Sequence, residues 1–66
     1  MKVEVNGQLR ELDAPTTLGV LVDREVADRR GVAVAVDGEV AARDTWDELT
    51  LTDGARVEIV GAVQGG

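Results

Sequence analysis

The chain has 66 residues, with thirteen Asp and Glu against seven Lys and Arg, for a formal charge of -6, and it contains no Cys and no His. That length makes one small domain that buries only about 60% of its unfolded surface. The missing residue types exclude disulfides, thiolate nucleophiles and ordinary zinc sites. The acidic balance argues against nucleic acid, because phosphate backbones reward clustered Lys and Arg.

The first stretch, "MKVEVNGQLREL", alternates, with Met1, Val3 and Val5 on one face and Lys2, Glu4 and Asn6 on the other. Asn6-Gly7 is a strong hairpin signal, since a type I′ turn needs positive φ at both central residues. Strands are predicted over 1–6 and 8–12. Leu9 and Leu12 have opposite parity, so the second strand carries a bulge or ends early.

Pro15 breaks the sheet, and Thr16 or Thr17 offers an N-cap. Leu18, Leu21, Val22 and Val26 recur on one stripe and predict a helix over 17–28. Arg29, Arg30 and Gly31 mark its close, two cations and a glycine at the dipole's negative end. Arg24, Arg29 and Arg30 are interleaved with Asp23, Glu25 and Asp28, the pattern of a solvated helix end.

"VAVAV", 32–36, predicts a strand with valines on one face and alanines on the other. Asp37-Gly38 is a second hairpin signal, leading to a short strand over 39–42. Asp44 or Thr45 then caps a single helical turn, and "TDG" at 52–54 leads into a last strand, "ARVEIV", at 55–60, with Val57 and Ile59 on one face and Arg56 and Glu58 on the other. One helix across one mixed sheet buries these stripes together, an α+β domain. The helical crossover after a hairpin predicts that the last strand runs parallel beside the first, without fixing the strand order.

Reactive side chains are few. Thr16 and Thr17 read as caps rather than nucleophiles, because there is no histidine to serve as base and the one lysine, Lys2, lies in the first strand. Asp44, Asp47 and Glu48 read as a solvated, capped turn rather than a cation site, so no metal site is assigned. Trp46, the only aromatic residue, reads as a core or edge plug. The start "MKVEVNG" lacks an apolar leader, and no segment reaches the eighteen apolar residues of a membrane span. The reading is a cytoplasmic protein without a membrane partner.

After the last strand comes "AVQGG", 62–66. Together with "MKVEVNGQ", "TTLGVLVD", "VAVAVDGEVAARDTW" and "LTDGARVEIV", it resembles the ThiS family, the sulfur carriers of thiamine biosynthesis, over the whole chain. The resemblance implies a ubiquitin-like β-grasp fold, a mixed sheet of four to five strands on one helix. It places the domain at 1–60 and a flexible tail at 61–66. It also implies a carrier rather than an enzyme. On this resemblance the carboxylate of Gly66 would be adenylated by a ThiF-like adenylyltransferase that consumes ATP. A cysteine desulfurase relay would supply the sulfur that makes it a thiocarboxylate, and a ThiG-like thiazole synthase would use that sulfur; the carrier itself is expected to bind no cofactor.

Gly65 and Gln64 would thread into the partner's site, glycine lacking the Cβ that a narrow channel excludes. A stretch from 61 to 66 reaches roughly 20 Å when extended. Val60, Ala62 and Val63 continue the apolar character and form a candidate docking patch, or else finish the core. The alternatives are another β-grasp sulfur carrier such as the small subunit of molybdopterin synthase, a ubiquitin-like modifier, and a β-grasp binding module without tail chemistry.

Overall fold

A computed structural model of the chain describes residues 1–13 and 15–61. Its elements are β1 (Lys2–Val5), β2 (Gln8–Glu11), α1 (Leu18–Glu25), β3 (Val32–Val36), β4 (Glu39–Val40) and β5 (Arg56–Gly61), with a 3₁₀ turn at Arg43–Thr45 between the last two strands. The five strands form one sheet in the order β2-β1-β5-β3-β4. β1 and β5 run parallel at its centre, as the crossover predicts, and the other pairs are antiparallel. This is a mixed five-stranded β-grasp sheet with one helix across it.

Both hairpins have the expected turn chemistry. Asn6 and Gly7 have φ of 50° and 85°, and Asp37 has 51°. The registers Val5↔Gln8 and Val36↔Glu39 leave two residues in each loop. Because opposed residues share a face, Val3 and Val5 stand with Arg10 and Gln8 on the helix side. Leu12 follows the same parity and is buried, whereas Leu9 lies on the other face, 71% exposed. β2 therefore ends early, at Glu11, and needs no bulge.

The helix differs from the predicted 17–28. Thr17 is its N-cap, its Oγ1 accepting from the Val20 N–H at 3.3 Å, but the helix closes at Glu25. Val26 is extended, and its N–H makes the last helical bond, to the Val22 carbonyl. A local turn outcompetes further helix: the Asp28 carboxylate accepts the Arg30 N–H at 2.8 Å and its guanidinium at 2.7 Å. Gly31, at φ 72°, belongs to the loop before β3 and is not the helix cap.

Three smaller differences follow. β4 has two residues rather than four. The 3₁₀ turn starts after Ala42 with no side-chain cap, and Thr45 Oγ1 instead donates to the Ala42 carbonyl at 2.6 Å, so neither Asp44 nor Thr45 caps it. β5 is displaced by one residue and runs to Gly61, opposite Val32.

The core lies between helix and sheet. Leu18, Leu21 and Val22 meet Val3, Val5, Val34 and Val57, and Trp46 and Leu51 close the end near the helix N-terminus. Each such side chain contributes about 1.5–3 kcal/mol when fully buried. The segment around Trp46 is tied to the helix start: Gly19 N–H donates to the Trp46 carbonyl, Leu18 N–H to Leu49 and Leu51 N–H to Thr16. Trp46 is 1% exposed, and its Nε1 donates to the Ala41 carbonyl at 3.0 Å. It is the plug read from the sequence.

Candidate functional site: the end of the central strand

β5 is the strand from which the chain continues toward "AVQGG". Gly66, Gly65, Gln64, Ala62 and Val63 lie outside the described residues, so the site is built from what precedes them. β5 is flanked by β1 up to the register pair Val5↔Val57 and by β3 as far as Gly61. The strand is thereby held at the middle of the sheet.

Alternation along β5 sorts its side chains. Val57 is buried and Ile59 half-buried on the helix side. Val60 points to the opposite, open face and is 65% exposed, its register partner being Ala33. Val60 is therefore not a core residue. It sits on a face that also carries Glu58 and Arg56, the latter 4.0 Å from Glu4. Leu9 and Val40 lie on the same face toward the two edges. The structure thus separates Val60 from the core and places it one residue before Gly61.

On the helix side, beside Gly61, runs an open groove of about 720 Å³. Asn6, Val26, Val32 and Ile59 line it, with Glu25, Asp28 and Arg30 among its charged members. The side chain of Asn6 reaches β5 here. Its Oδ1 accepts the Ile59 N–H at 2.8 Å, and its Nδ2 donates to the Ile59 carbonyl at 3.2 Å. Sequence reading assigned Asn6 to the end of the first strand and to the turn. Its identity gave no further signal, because Asn-Gly is what the turn itself prefers; the second role depends on β5 lying beside the turn.

A further charged cluster centres on Arg29. Arg29 donates to Asp23 at 2.8 Å, to Asp47 at 2.9 Å and to the Gly19 carbonyl at 3.2 Å. Its guanidinium carbon lies 5.7 Å from the Trp46 ring centre, and that of Arg43 lies 5.2 Å away. The hydrogen bond from Arg29 holds the Asp23 carboxyl below its ordinary range, and Arg30 does the same for Asp28. Donating to Asp23 and Asp47 pushes the Arg29 pKa up in turn. This is a structural clasp between helix, loop and 3₁₀ turn, more specific than the solvated helix end read from the sequence.

Other side chains with chemical potential are also engaged in structure. Thr17 is the cap, and the hydroxyl of buried Thr16 donates to the Asp13 carbonyl. Asp47 belongs to the Arg29 clasp. Among the described residues no group of three or more acidic side chains is placed to hold a metal ion, and no helix is long and apolar enough to cross a membrane.

The model of the ThiS family matches residues 3–66. The chain belongs to the ThiS family. The crystal structure of the thiamine biosynthesis protein ThiS from Geobacter metallireducens is similar over the full length of both chains, with 32% identity and a TM-score of 0.82. The solution structure of a thiamine biosynthesis protein from the same organism matches with a TM-score of 0.75 at 32% identity, over all of this chain and 88% of the other. Among curated proteins, a thiazole synthase of Paramagnetospirillum magneticum is 32% identical over all 66 residues, and the chain spans 20% of that protein's length. Membership in the ThiS family supports a sulfur-carrier role in thiamine biosynthesis, on the β-grasp body described above.

Proposed function

We propose that this chain carries sulfur for thiazole formation as an acyl group at Gly66, and that the folded body is the handle by which partner enzymes hold it. The observation that carries this reading is the family match, which runs through both terminal glycines to residue 66. The body acts as a protein co-substrate and not as the enzyme.

The chemistry follows from the carboxylate. An α-carboxyl with a pKa of about 3.5 is anionic at neutral pH and resists nucleophiles until one oxygen becomes a leaving group. In the proposed sequence a ThiF-like adenylyltransferase lets a Gly66 oxygen attack the α-phosphorus of ATP, and pyrophosphate departs. The outer sulfur of a persulfide on the cysteine desulfurase relay then displaces AMP to give an acyl disulfide, and attack of a thiol on the relay sulfur cleaves the S–S bond, leaving a thiocarboxylate on the acyl carbon and the relay cysteine in a disulfide. That soft nucleophile is delivered to a thiazole synthase. Similarity of the whole chain to one fifth of a thiazole synthase supports that enzyme as the recipient.

Residues 62–66 provide reach, up to roughly 20 Å counted from residue 61, so the reactive carbon can enter a partner's site while the body stays outside. Gln64 and Gly65 are assigned to the threaded part. Val60, exposed on the open sheet face, is assigned with Ala62 and Val63 to the docking surface.

Intact-mass measurement after incubation with ATP, the adenylyltransferase and a sulfur source tests the reading. One oxygen replaced by sulfur is the expected gain, lost when Gly66 is deleted. An unchanged mass for the wild-type chain, together with growth without thiamine on the Gly66-deleted protein, sinks it. A product joined to partner lysines would instead make the chain a modifier.

A further inference from the structure

Two residues of the same kind hold β5 at its two ends. Asn6 and Asp37 each occupy the first position of a two-residue hairpin loop, with φ of 50° and 51°. At the start of β5, the Arg56 N–H donates to Asp37 Oδ1 at 2.9 Å and the Asp37 N–H donates to the Arg56 carbonyl at 2.8 Å. A carboxylate suffices there, because its own main chain serves the carbonyl. Toward the end of β5, the Asn6 N–H donates to Val57 at 2.9 Å, and the carboxamide then takes both the N–H and the carbonyl of Ile59. That task needs a donor and an acceptor on one short side chain, which Asn has and Asp lacks.

The parallel register of β1 with β5 ends at Val5↔Val57. The carboxamide adds one further rung, two residues before Gly61. The turn accepts glycine as well as asparagine at this position, so the carboxamide bonds to Ile59 are additional to what the turn requires. A side chain beyond what the turn needs, bonded to the last stretch of the strand that leads to the reactive end, points to a role in aiming that end.

We infer that Asn6 is a positioning residue of the carrier: its carboxamide locks Ile59 and thereby fixes the last stretch of β5, up to Gly61, from which the reactive end is presented. The inference rests on the proposed carrier function. A loosened anchor lengthens the slack between docked body and reacting carbon. Slack lowers the fraction of docked carriers whose carboxylate is in attack geometry, which is a loss in turnover rather than in docking.

The test compares wild type, Asn6→Gly, Asn6→Asp and Asp37→Gly as full chains with the adenylyltransferase, ATP and a sulfur source, and follows amide exchange at Ile59. Asn6→Gly keeps the turn. Its kcat for thiocarboxylate formation is expected to fall about three- to tenfold while the half-saturating carrier concentration changes less than about twofold. Exchange at Ile59 accelerates. Asn6→Asp, which keeps only the acceptor, falls between wild type and Asn6→Gly. Asp37→Gly loosens the other end of the same strand and leaves kcat unchanged at equal or greater loss of thermal stability. Asn6→Gly with wild-type kcat, or kcat tracking stability equally in Asn6→Gly and Asp37→Gly, overturns the inference alone. A wild-type chain that gains no sulfur overturns the carrier reading, and the inference with it.

Discussion

Gly19 and Asp47 share a space that admits only one side chain: a Cβ on Gly19 would stand 2.1 Å from Asp47 Oδ1 and 2.9 Å from Arg29 Nη2. Alanine is the better helix former by about 0.8–1.0 kcal/mol, but here it must displace Asp47 and break its pair with Arg29. The pair is exposed and so worth at most about 1 kcal/mol; Gly19→Ala is therefore expected to be nearly neutral, whereas in an Asp47→Ala background the same change is stabilising. Urea unfolding of the four-member cycle reads this. Equal effects in both backgrounds would show that the two residues do not compete.

Trp46 supports a different prediction. Its indole is buried, donates to the Ala41 carbonyl and lies beside two guanidinium groups. Trp46→Phe removes ring volume and leaves that carbonyl without its donor, a combined loss of about 2–4 kcal/mol. For a domain of this size the loss is a large share of total stability. Far-UV circular dichroism during urea titration would display it as a lower midpoint at unchanged slope.

Much of this architecture was legible in the residues because local and global preferences agree. Asn6-Gly7 and Asp37-Gly38 dictate two-residue loops, the valines of 32–36 and 55–60 alternate with the pleat, and Leu18, Leu21 and Val22 share one helix face. The helix C-terminus was not legible, because it depends on the Asp28–Arg30 turn and on Arg29 reaching back to Asp23 and Asp47. Those are contacts between residues whose charges, in sequence, look merely solvated. At the site, Val60 was assigned equally to core and surface; parity with Val57 and the Ala33 pairing decide for the surface. The second role of Asn6 could not be read from a dipeptide signal, since it requires knowing which strand lies beside the turn.

The clasp makes stability depend on pH with a definite sign. Asp23 and Asp28 have carboxyl pKa values lowered from 3.8 by hydrogen bonds from Arg29 and Arg30 respectively. Groups depressed in the folded state contribute stability above the unfolded pKa and lose it as pH falls through the folded value. Asp23→Asn should therefore melt below wild type at about pH 7, and the two melting curves should converge as acidification carries the solution below 3.8 and through the lowered Asp23 value. Because the pair is exposed, added salt should narrow the difference at neutral pH as well. A gap that persists in acid would assign the effect to something other than the Asp23 charge.

Val60 provides the prediction that bears on docking. It is 65% exposed on the open sheet face, and Val40 on the same face is 82% exposed, yet only Val60 adjoins the exit of the chain. In the proposed function, Val60→Asp places a charge within the surface that meets the adenylyltransferase and should raise the half-saturating carrier concentration about tenfold, equivalent to about 1.4 kcal/mol of binding. Neither substitution touches the core, so melting temperatures should change little; a strand position of this kind costs at most about 1 kcal/mol. Val40→Asp, at the β4 edge, should leave the half-saturating concentration unchanged. If the two variants behave alike in saturation kinetics, the docking surface does not include Val60, and the partner grips the carrier elsewhere on the body.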